Sequence, residues 1–577
     1  MSKPQSQAVV FLTLLMAFAV TSQSAWAQPA TYTPPPHFSH IVIIVQENRS
    51  PDTLFGGAPI VSNPVCGGFN GFKPSVDLAN GGANNYSGLM MCSPLTEVTD
   101  LNTGGGSHSN EDWQGQWDNG LMDGACNPIT DPNVDCGETT GPPNKPYTYV
   151  VQSVIQPYLD IANDYGWANY MFQTNEGPSY PAHQFLFGGT SAPVWPTDMY
   201  ANYFVADNAG FSNTGCNEQF PNVPWVDPTG DPSFNYPTPT TLGASPYTCY
   251  DRNTLVTVQD SAGNVSDRID KSGHGVTWAY YAQSPGIIWD APESVTQTCY
   301  SQAQAPAGNP ACSGPEYNHV RFPGTMDGQS APILTDIANC KLQKITWVTP
   351  DEVWSDHPGE LPKAYTGLGP SWVADIINAI GQSSVNSGGA CDYWSTEPTA
   401  IFVTWDDWGG FYDHVPPPSV ARGTLTSCTS HNSNGWGCGY TYGFRVPLLV
   451  VSPFTKAGTV SGPLVPAVAF PPKYPPPAQW IHDFGSILAF TEQNFYPAGT
   501  QIAPAGYTYA DSNSFDVTFN GQTVVPLWEF FNNGSMRTFT PISAPYNASF
   551  FENYYNTDGP DGMRHFPQGP DKDDDDE

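Results

Sequence analysis

Three stretches carry apolar residues in unbroken runs: "HIVIIV" (40–45), "TAIFVTW" (399–405) and "FRVPLLVVS" (444–452). Such runs, rich in Val and Ile, predict strands buried on both faces, as in parallel sheets covered by helices. Three other stretches, 150–166, 371–383 and 483–495, predict helices. In the second of them Trp372, Val373, Ile376, Ile377 and Ile380 fall on one helical face. Together these elements predict an α/β fold, a mostly parallel central sheet sandwiched by helices. From about 190 to 330 the pattern dissolves into a Pro-, Gly-, Asn- and aromatic-rich stretch with four cysteines, read as loop-rich insertions capping one end of the sheet. Beyond about 500 short β-like pieces predict a small C-terminal β-rich extension (501–570) packed on the core. The ending "DKDDDDE" (571–577) reads as a solvated acidic tail, with a calcium site as the alternative.

The apolar stretch Ala8 to Val20 follows Lys3 and precedes the small-x-small triplet "AWA" at 25–27. It is short for a bilayer span and reads as a signal segment (1–27), implying a secreted or periplasmic protein whose main body runs from 28 to 500. All 12 cysteines lie beyond it. An even count in an exported chain, without CxxC or Cys/His zinc spacing, predicts disulfides. Connectivity stays open, with Cys126–Cys136, Cys299–Cys312 and Cys428–Cys438 as short-range candidates.

Charge narrows the partners. Across 577 residues, 18 Lys+Arg against 53 Asp+Glu leave a net charge of -35, which argues against nucleic acid. It also argues against anionic membranes and allows at most peripheral membrane contact. Oligomeric state is not legible.

Ligands in open α/β sheets gather outside the carboxyl ends of the strands. Two predicted core strands end there in oxygen donors: Glu47 and Asn48 after the first, Asp406 and Asp407 after the second. Adjacent carboxylates repel, so a doublet emerging from a buried strand calls for a cation, unless one acid caps the turn into "WGG" while the other is solvated. In "TNEGPSYPAHQFLFGGTSAP" (174–193), Ser179 stands where Pro181 marks a helix's first turn. It reads either as a nucleophile beside backbone N–H groups that favour an anion, or as a cap. Of 11 histidines, His108 and the Asp356–His357 pair lie in polar loops suited to ligand contact, while His183, His274 and His414 stand near other polar residues.

Taken jointly, "QENRSPDTLFG", "SHSNEDWQGQWDNGLMDG", "GPSYPAHQFLFGGTS", "SDHP" and "TWDDWGGFYDHVPPP" resemble the secreted bacterial phosphoesterase family of phospholipases C and acid phosphatases, allied in fold to alkaline phosphatase. The resemblance runs from about 38 to 495. It implies one divalent metal ion ligated by Glu47, Asn48, Asp406, Asp407 and Ser179. Ser179 would be the nucleophile, with His357 and His108 contacting phosphoryl oxygens or protonating the leaving group. His183, His274 and Asp356 are expected at the substrate, Asp356 chiefly as an orienter of His357. Ala182 stands where the family commonly has Asn, and Asp407 where many lipases have Glu. The metal is open among Ca, Mg, Mn, Fe and Zn. The expected activity is hydrolysis of phosphate esters through phosphoserine, on a phospholipid or a small ester. The competing reading is an exported binding protein or adhesin that kept the fold and lost catalysis.

Overall fold

The apolar run that opens the body is the spine of an eight-stranded sheet. Its strands are β1 (His40–Gln46), β2 (Gly166–Ala168), β3 (Trp278–Tyr281), β4 (Val320–Arg321), β5 (Ile345–Val348), β6 (Thr399–Trp405), β7 (Leu448–Val451) and β8 (Thr459–Ser461), in the order β4-β3-β5-β1-β6-β7-β2-β8. The molecule is known from a computed structural model that describes residues 31–56, 95–118, 122, 124–125, 146–192, 204–208, 215–216, 225–226, 252–259, 265–267, 275–300, 312, 314–323, 330–359, 367–418, 440–462, 478–496 and 509–554. The signal segment 1–27, His274, the pairs Cys126–Cys136 and Cys428–Cys438, and the tail 571–577 lie outside the described residues.

Every pairing in the sheet is parallel except the two made by β7, which runs against β6 and β2. The unbroken apolar run of β7 therefore reports burial on both faces and not chain direction.

The helices that matter for the site are α1 (Pro51–Phe55), α2 (Asn110–Trp117), α3 (Gln156–Asp164), α4 (Ser179–Gly188), α5 (Leu368–Gly381) and α6 (Phe484–Phe495). The helix expected over 150–166 starts late. Pro157 sits in its first turn, and Thr148–Val150 pairs instead with strand Thr96–Val98. Side chains of β6 face both helical layers in alternation: Trp405 packs on Tyr158 of α3 at 5.0 Å between ring centroids, while Phe402 packs on Phe490 of α6 at 5.2 Å. On α5 the stripe Trp372, Val373, Ile376, Ile377 and Ile380 is buried as its spacing predicts. Each such side chain contributes roughly 1.5–3 kcal/mol.

Residues 509–554 lie against this core through Leu527, Phe530, Phe531, Ile542 and Phe551. Their strand content is a single hairpin, Thr518–Phe519 with Gln522–Thr523. A buried polar link reinforces the docking: His482, just before α6, has Nδ1 2.7 Å from Asp516 Oδ2 and Nε2 3.1 Å from Glu529 Oε1. Burial works against its positive charge, but Glu529 and Asp516 prevail and raise the imidazole pKa to about 10. A folded pKa above the ordinary 6.5 means this contribution is complete below pH 6.5 and fades as pH rises toward about 10. His482→Gln should therefore cost about 3–5 kcal/mol at neutral pH. Urea unfolding should also show the variant losing less stability than wild type between pH 7 and pH 10; an unchanged slope would contradict the link.

Two disulfides close within the described residues. Cys299–Cys312 is one of the short-range pairs expected. Cys340–Cys391 spans 51 residues, beyond what short-range pairing suggested, and by loop entropy is worth about 4 kcal/mol. No helix among the described residues is long and apolar enough to cross a membrane.

Candidate active site

Strands β1 and β6 are parallel with Gln46 opposite Trp405, so Glu47 and Asp406 leave neighbouring strands at the same carboxyl end. Both chains turn at once and are stitched together there. Asp406 N–H donates to the Gln46 carbonyl at 2.9 Å, and Arg49 N–H to the Asp407 carbonyl at 3.0 Å. Asn48 takes a left-handed conformation (φ 56°), which asparagine tolerates better than most residues, and its N–H donates to Asp406 Oδ1 at 2.9 Å. Glu47, Asn48, Asp406 and Asp407 are all fully buried.

The loop after Asp407 must pass close to its neighbours. Gly409 (φ 60°) and Gly410 (φ 67°) are left-handed, and a side chain on Gly410 would run into the Gly106 backbone, two residues before His108. Gly410→Ala should thus push apart the loops carrying Asp407 and His108. We expect at least a tenfold loss of turnover with a lowered melting temperature; wild-type kinetics would refute this steric role.

Helix α4 starts at Ser179, after Pro178, and its first residue points to this junction. Ser179 Oγ donates to Asp407 Oδ2 at 3.0 Å and lies 3.5 Å from Asn48 Oδ1. His183, expected at the substrate, sits one helical turn further, fully buried, with Nε2 3.1 Å from Glu47 Oε1 and 3.7 Å from Asp406 Oδ2. Burial lowers its pKa to about 4 despite the attraction of Asp406, so the ring is neutral.

Two more histidines face the junction. His108 Nδ1 is 3.0 Å from the Gly106 carbonyl, which only accepts, so its Nε2 receives a hydrogen bond from Asn48 Nδ2 at 3.2 Å. This fixes the Asn48 amide with its oxygen toward Ser179. The His357 ring centroid lies 6.3 Å from that of His108, and its Nδ1 is held by the Pro358 carbonyl at 2.8 Å. Asp356 does not orient His357 as expected. Its Oδ2 accepts from Tyr158 at 2.8 Å and Trp405 at 2.9 Å, while its carbonyl receives Arg49 Nε at 2.9 Å. Buried in this network, its carboxyl is raised to about 6 by burial, with Arg49 and the two hydrogen bonds opposing. Its part is to lock the His357 loop to the end of β1.

The electrostatics favour a cation. Burial and then the Asp406 charge push the Asp407 carboxyl well above its ordinary range. Asp406 Oδ2 is buried without a hydrogen-bond partner, and Glu47, His183 and Asp406 offer ligand atoms within 4.8 Å of one another. An uncompensated buried carboxylate oxygen costs several kcal/mol unless a cation or proton meets it. The donor set of carboxylates, an amide oxygen and a hydroxyl therefore fits a divalent metal.

Some members of the constellation were not singled out from the sequence. Arg49 is wholly buried with its guanidinium 4.4 Å above the Phe411 ring, and burial lowers its pKa to about 10. Trp289 has its ring 6.5 Å from His183 and 6.4 Å from His357, and its carbonyl accepts from Tyr280 Oη at 2.7 Å. Strand β3 feeding the same sheet edge was the available clue. A second buried cluster, Asp52, Asp413, His414 and Arg445, is bonded within itself, with Arg445 bonded to both Asp413 oxygens at 2.9 Å and His414 to Asp52 at 2.8 Å, and Asp52, Asp413 and His414 likewise offer ligand atoms within 4.8 Å of one another.

The chain is 33% identical over 138 residues to the non-hemolytic phospholipase C of Burkholderia pseudomallei, covering 22% of this chain and 17% of the relative. It is 25% identical over 253 residues to the non-hemolytic phospholipase C of Pseudomonas aeruginosa (40% and 31%), and 28% identical over 204 residues to phospholipase C A of Mycobacterium tuberculosis (34% and 34%). These matches span about a third or less of each relative's length. The model of the Phosphoesterase family matches residues 38–496, which include every described residue of the constellation. The chain belongs to the phosphoesterase family.

Proposed function

We propose that this protein is a secreted, metal-dependent phosphoesterase that hydrolyses phosphate esters through a phosphoserine on Ser179. The observation that carries the reading is the buried Ser179 hydroxyl at the start of α4, 3.0 Å from Asp407 Oδ2. A serine held there has a proton acceptor beside it and a helix N-terminus suited to a phosphoryl anion. Export is supported by the signal-like segment at the chain start and by the disulfides.

Glu47, Asn48, Asp406, Asp407 and Ser179 would hold the metal. When bound, a divalent cation there lowers the serine pKa and offsets charge on the phosphoryl oxygens. In the first step Ser179 Oγ bonds to phosphorus, its proton passes to Asp407, and the bond from phosphorus to the leaving alcohol breaks. His357, whose Nδ1–H is committed to the Pro358 carbonyl, supplies a proton from Nε2 to the leaving oxygen. His108 holds Asn48 and contacts the phosphoryl group. In the second step water attacks phosphoserine, His357 Nε2 takes the water proton, and Ser179 recovers its own as phosphate leaves.

Substrate choice is read from charge. A net charge of -35 favours zwitterionic phospholipid or soluble esters over anionic membranes. Purified protein assayed on nitrophenyl phosphate, bis-nitrophenyl phosphate and phosphatidylcholine tests the proposal. Metal-dependent release from any of them, abolished by chelator, is expected. No turnover on all three, across pH and metals, would leave the inactive binding protein as the better account.

A further inference from the structure

His183 stands four residues after Ser179 on α4, so one face of the helix presents the hydroxyl and the imidazole together. Its Nε2 faces two carboxylate oxygens, Glu47 Oε1 at 3.1 Å and Asp406 Oδ2 at 3.7 Å. The other ring nitrogen decides what passes between them. Nδ1 lies 3.4 Å from Tyr280 Oη, and the single Tyr280 hydroxyl proton goes to the Trp289 carbonyl at 2.7 Å, a group that can only accept. Toward His183 the Tyr280 oxygen is therefore an acceptor, and Nδ1 carries the imidazole proton. With Nδ1 turned to Tyr280, Nε2 is the ring nitrogen that faces the two carboxylate oxygens.

One ring nitrogen and two carboxylate oxygens, all within 4.8 Å of one another in a fully buried place, form the donor set of a cation site. Ligands about 2.1 Å from one ion stand about 3.0 Å apart at octahedral and about 3.4 Å apart at tetrahedral angles; the 3.1 Å to Glu47 Oε1 lies in that range, and the 3.7 Å to Asp406 Oδ2 needs a wider angle or a slight closing around the ion. A ligating histidine ordinarily donates its second N–H to a fixed partner, as Nδ1 does here to Tyr280. We infer that His183 Nε2 is a direct ligand of the active-site metal, completing an otherwise all-oxygen set. This rests on the reading of Glu47 and Asp406 as metal ligands. A nitrogen donor moves the preference of the site away from calcium and magnesium toward Mn²⁺, Fe²⁺, Co²⁺ or Zn²⁺. Tyr280 is then a positioning residue that fixes the tautomer.

Pulsed EPR on the full-length wild-type protein, stripped with chelator and reloaded with Mn²⁺, reads this without catalysis. The expected spectrum shows ¹⁴N coupling from one coordinated imidazole. His183→Gln keeps an amide N–H that could still donate to Glu47. It should abolish that coupling and weaken Mn²⁺ binding by calorimetry at least 100-fold, while Mg²⁺ affinity changes less than threefold. Glu47→Gln serves as the control on the underlying reading. Wild-type protein with no ¹⁴N coupling, but with Mn²⁺ binding lost in Glu47→Gln, overturns the inference and leaves the metal site standing. Undiminished Mn²⁺ binding in both variants overturns both. Should His183→Gln fail to fold, His108→Gln and His357→Gln decide the point: coupling retained in both supports the inference, and coupling lost in either overturns it.

Discussion

Ser179→Ala is expected to lower kcat on nitrophenyl phosphate by at least about 10³-fold with KM little changed, a loss of about 4 kcal/mol of transition-state stabilisation. The size follows from the chemistry assigned to the hydroxyl. The covalent route disappears, and what remains is the electrostatic environment acting on water. The fold should tolerate the change. Ser179 is N1 of α4 and not its cap, since the N-cap is Pro178 and makes no side-chain hydrogen bond. Its bonds to Asp407 and Asn48 and its interaction with the Asp406 carboxylate are lost, and all of them belong to the site. Circular dichroism and the melting temperature of the apo protein should therefore match wild type within a few degrees. Near-wild-type kcat with metal present would remove Ser179 from the mechanism.

The second large effect is at Asp407. Asp407→Asn should weaken metal binding by more than about 100-fold, since even partners one shell out cost that much, and should lower kcat/KM by about 10³-fold or more. Stability should move the other way. In the metal-free protein Asp407 is buried beside Asp406, and its carboxyl is pushed well above the ordinary range by burial and by the Asp406 charge. An isosteric amide removes that repulsion and keeps an acceptor for the Gly409 N–H, which bonds Oδ1 at 2.6 Å. The metal-free variant should thus unfold about 1–2 kcal/mol later than metal-free wild type in urea. Metal added at saturating concentration should stabilise only wild type. A variant that is less stable without metal, or that still gains stability from it, would mean that Asp407 is an ordinary satisfied acid.

How much of this was legible in the sequence depended on the interaction that fixes each residue. Glu47 and Asp406 were readable because unbroken apolar strands announce themselves, and parallel neighbours bring their ends to one edge. Ser179 was readable from Pro181 and the helix after it. The tautomer and surroundings of His183 were not, because Tyr280 and Trp289 come from a segment about 100 residues away without a motif. The partners of Asp356 were missed for a similar reason. A carboxylate next to a histidine in sequence suggests an orienting pair, yet Tyr158 and Trp405, set by packing of α3 on β6, hold the carboxylate instead. The late start of α3 was legible in retrospect from Pro157. The reversed direction of β7 was not, because burial on both faces makes parallel and antiparallel core strands look alike.

In the mechanism proposed for this protein, the ends of β1 and β6 and the start of α4 surround a single cation-binding point. Anomalous diffraction from crystals grown with Mn²⁺ tests it most directly. A peak is expected within coordination distance of Glu47, Asp406 and Asp407, beside Ser179. A peak at Asp52, Asp413 and His414 instead, or clear density with no ion at the Ser179 junction, would contradict it.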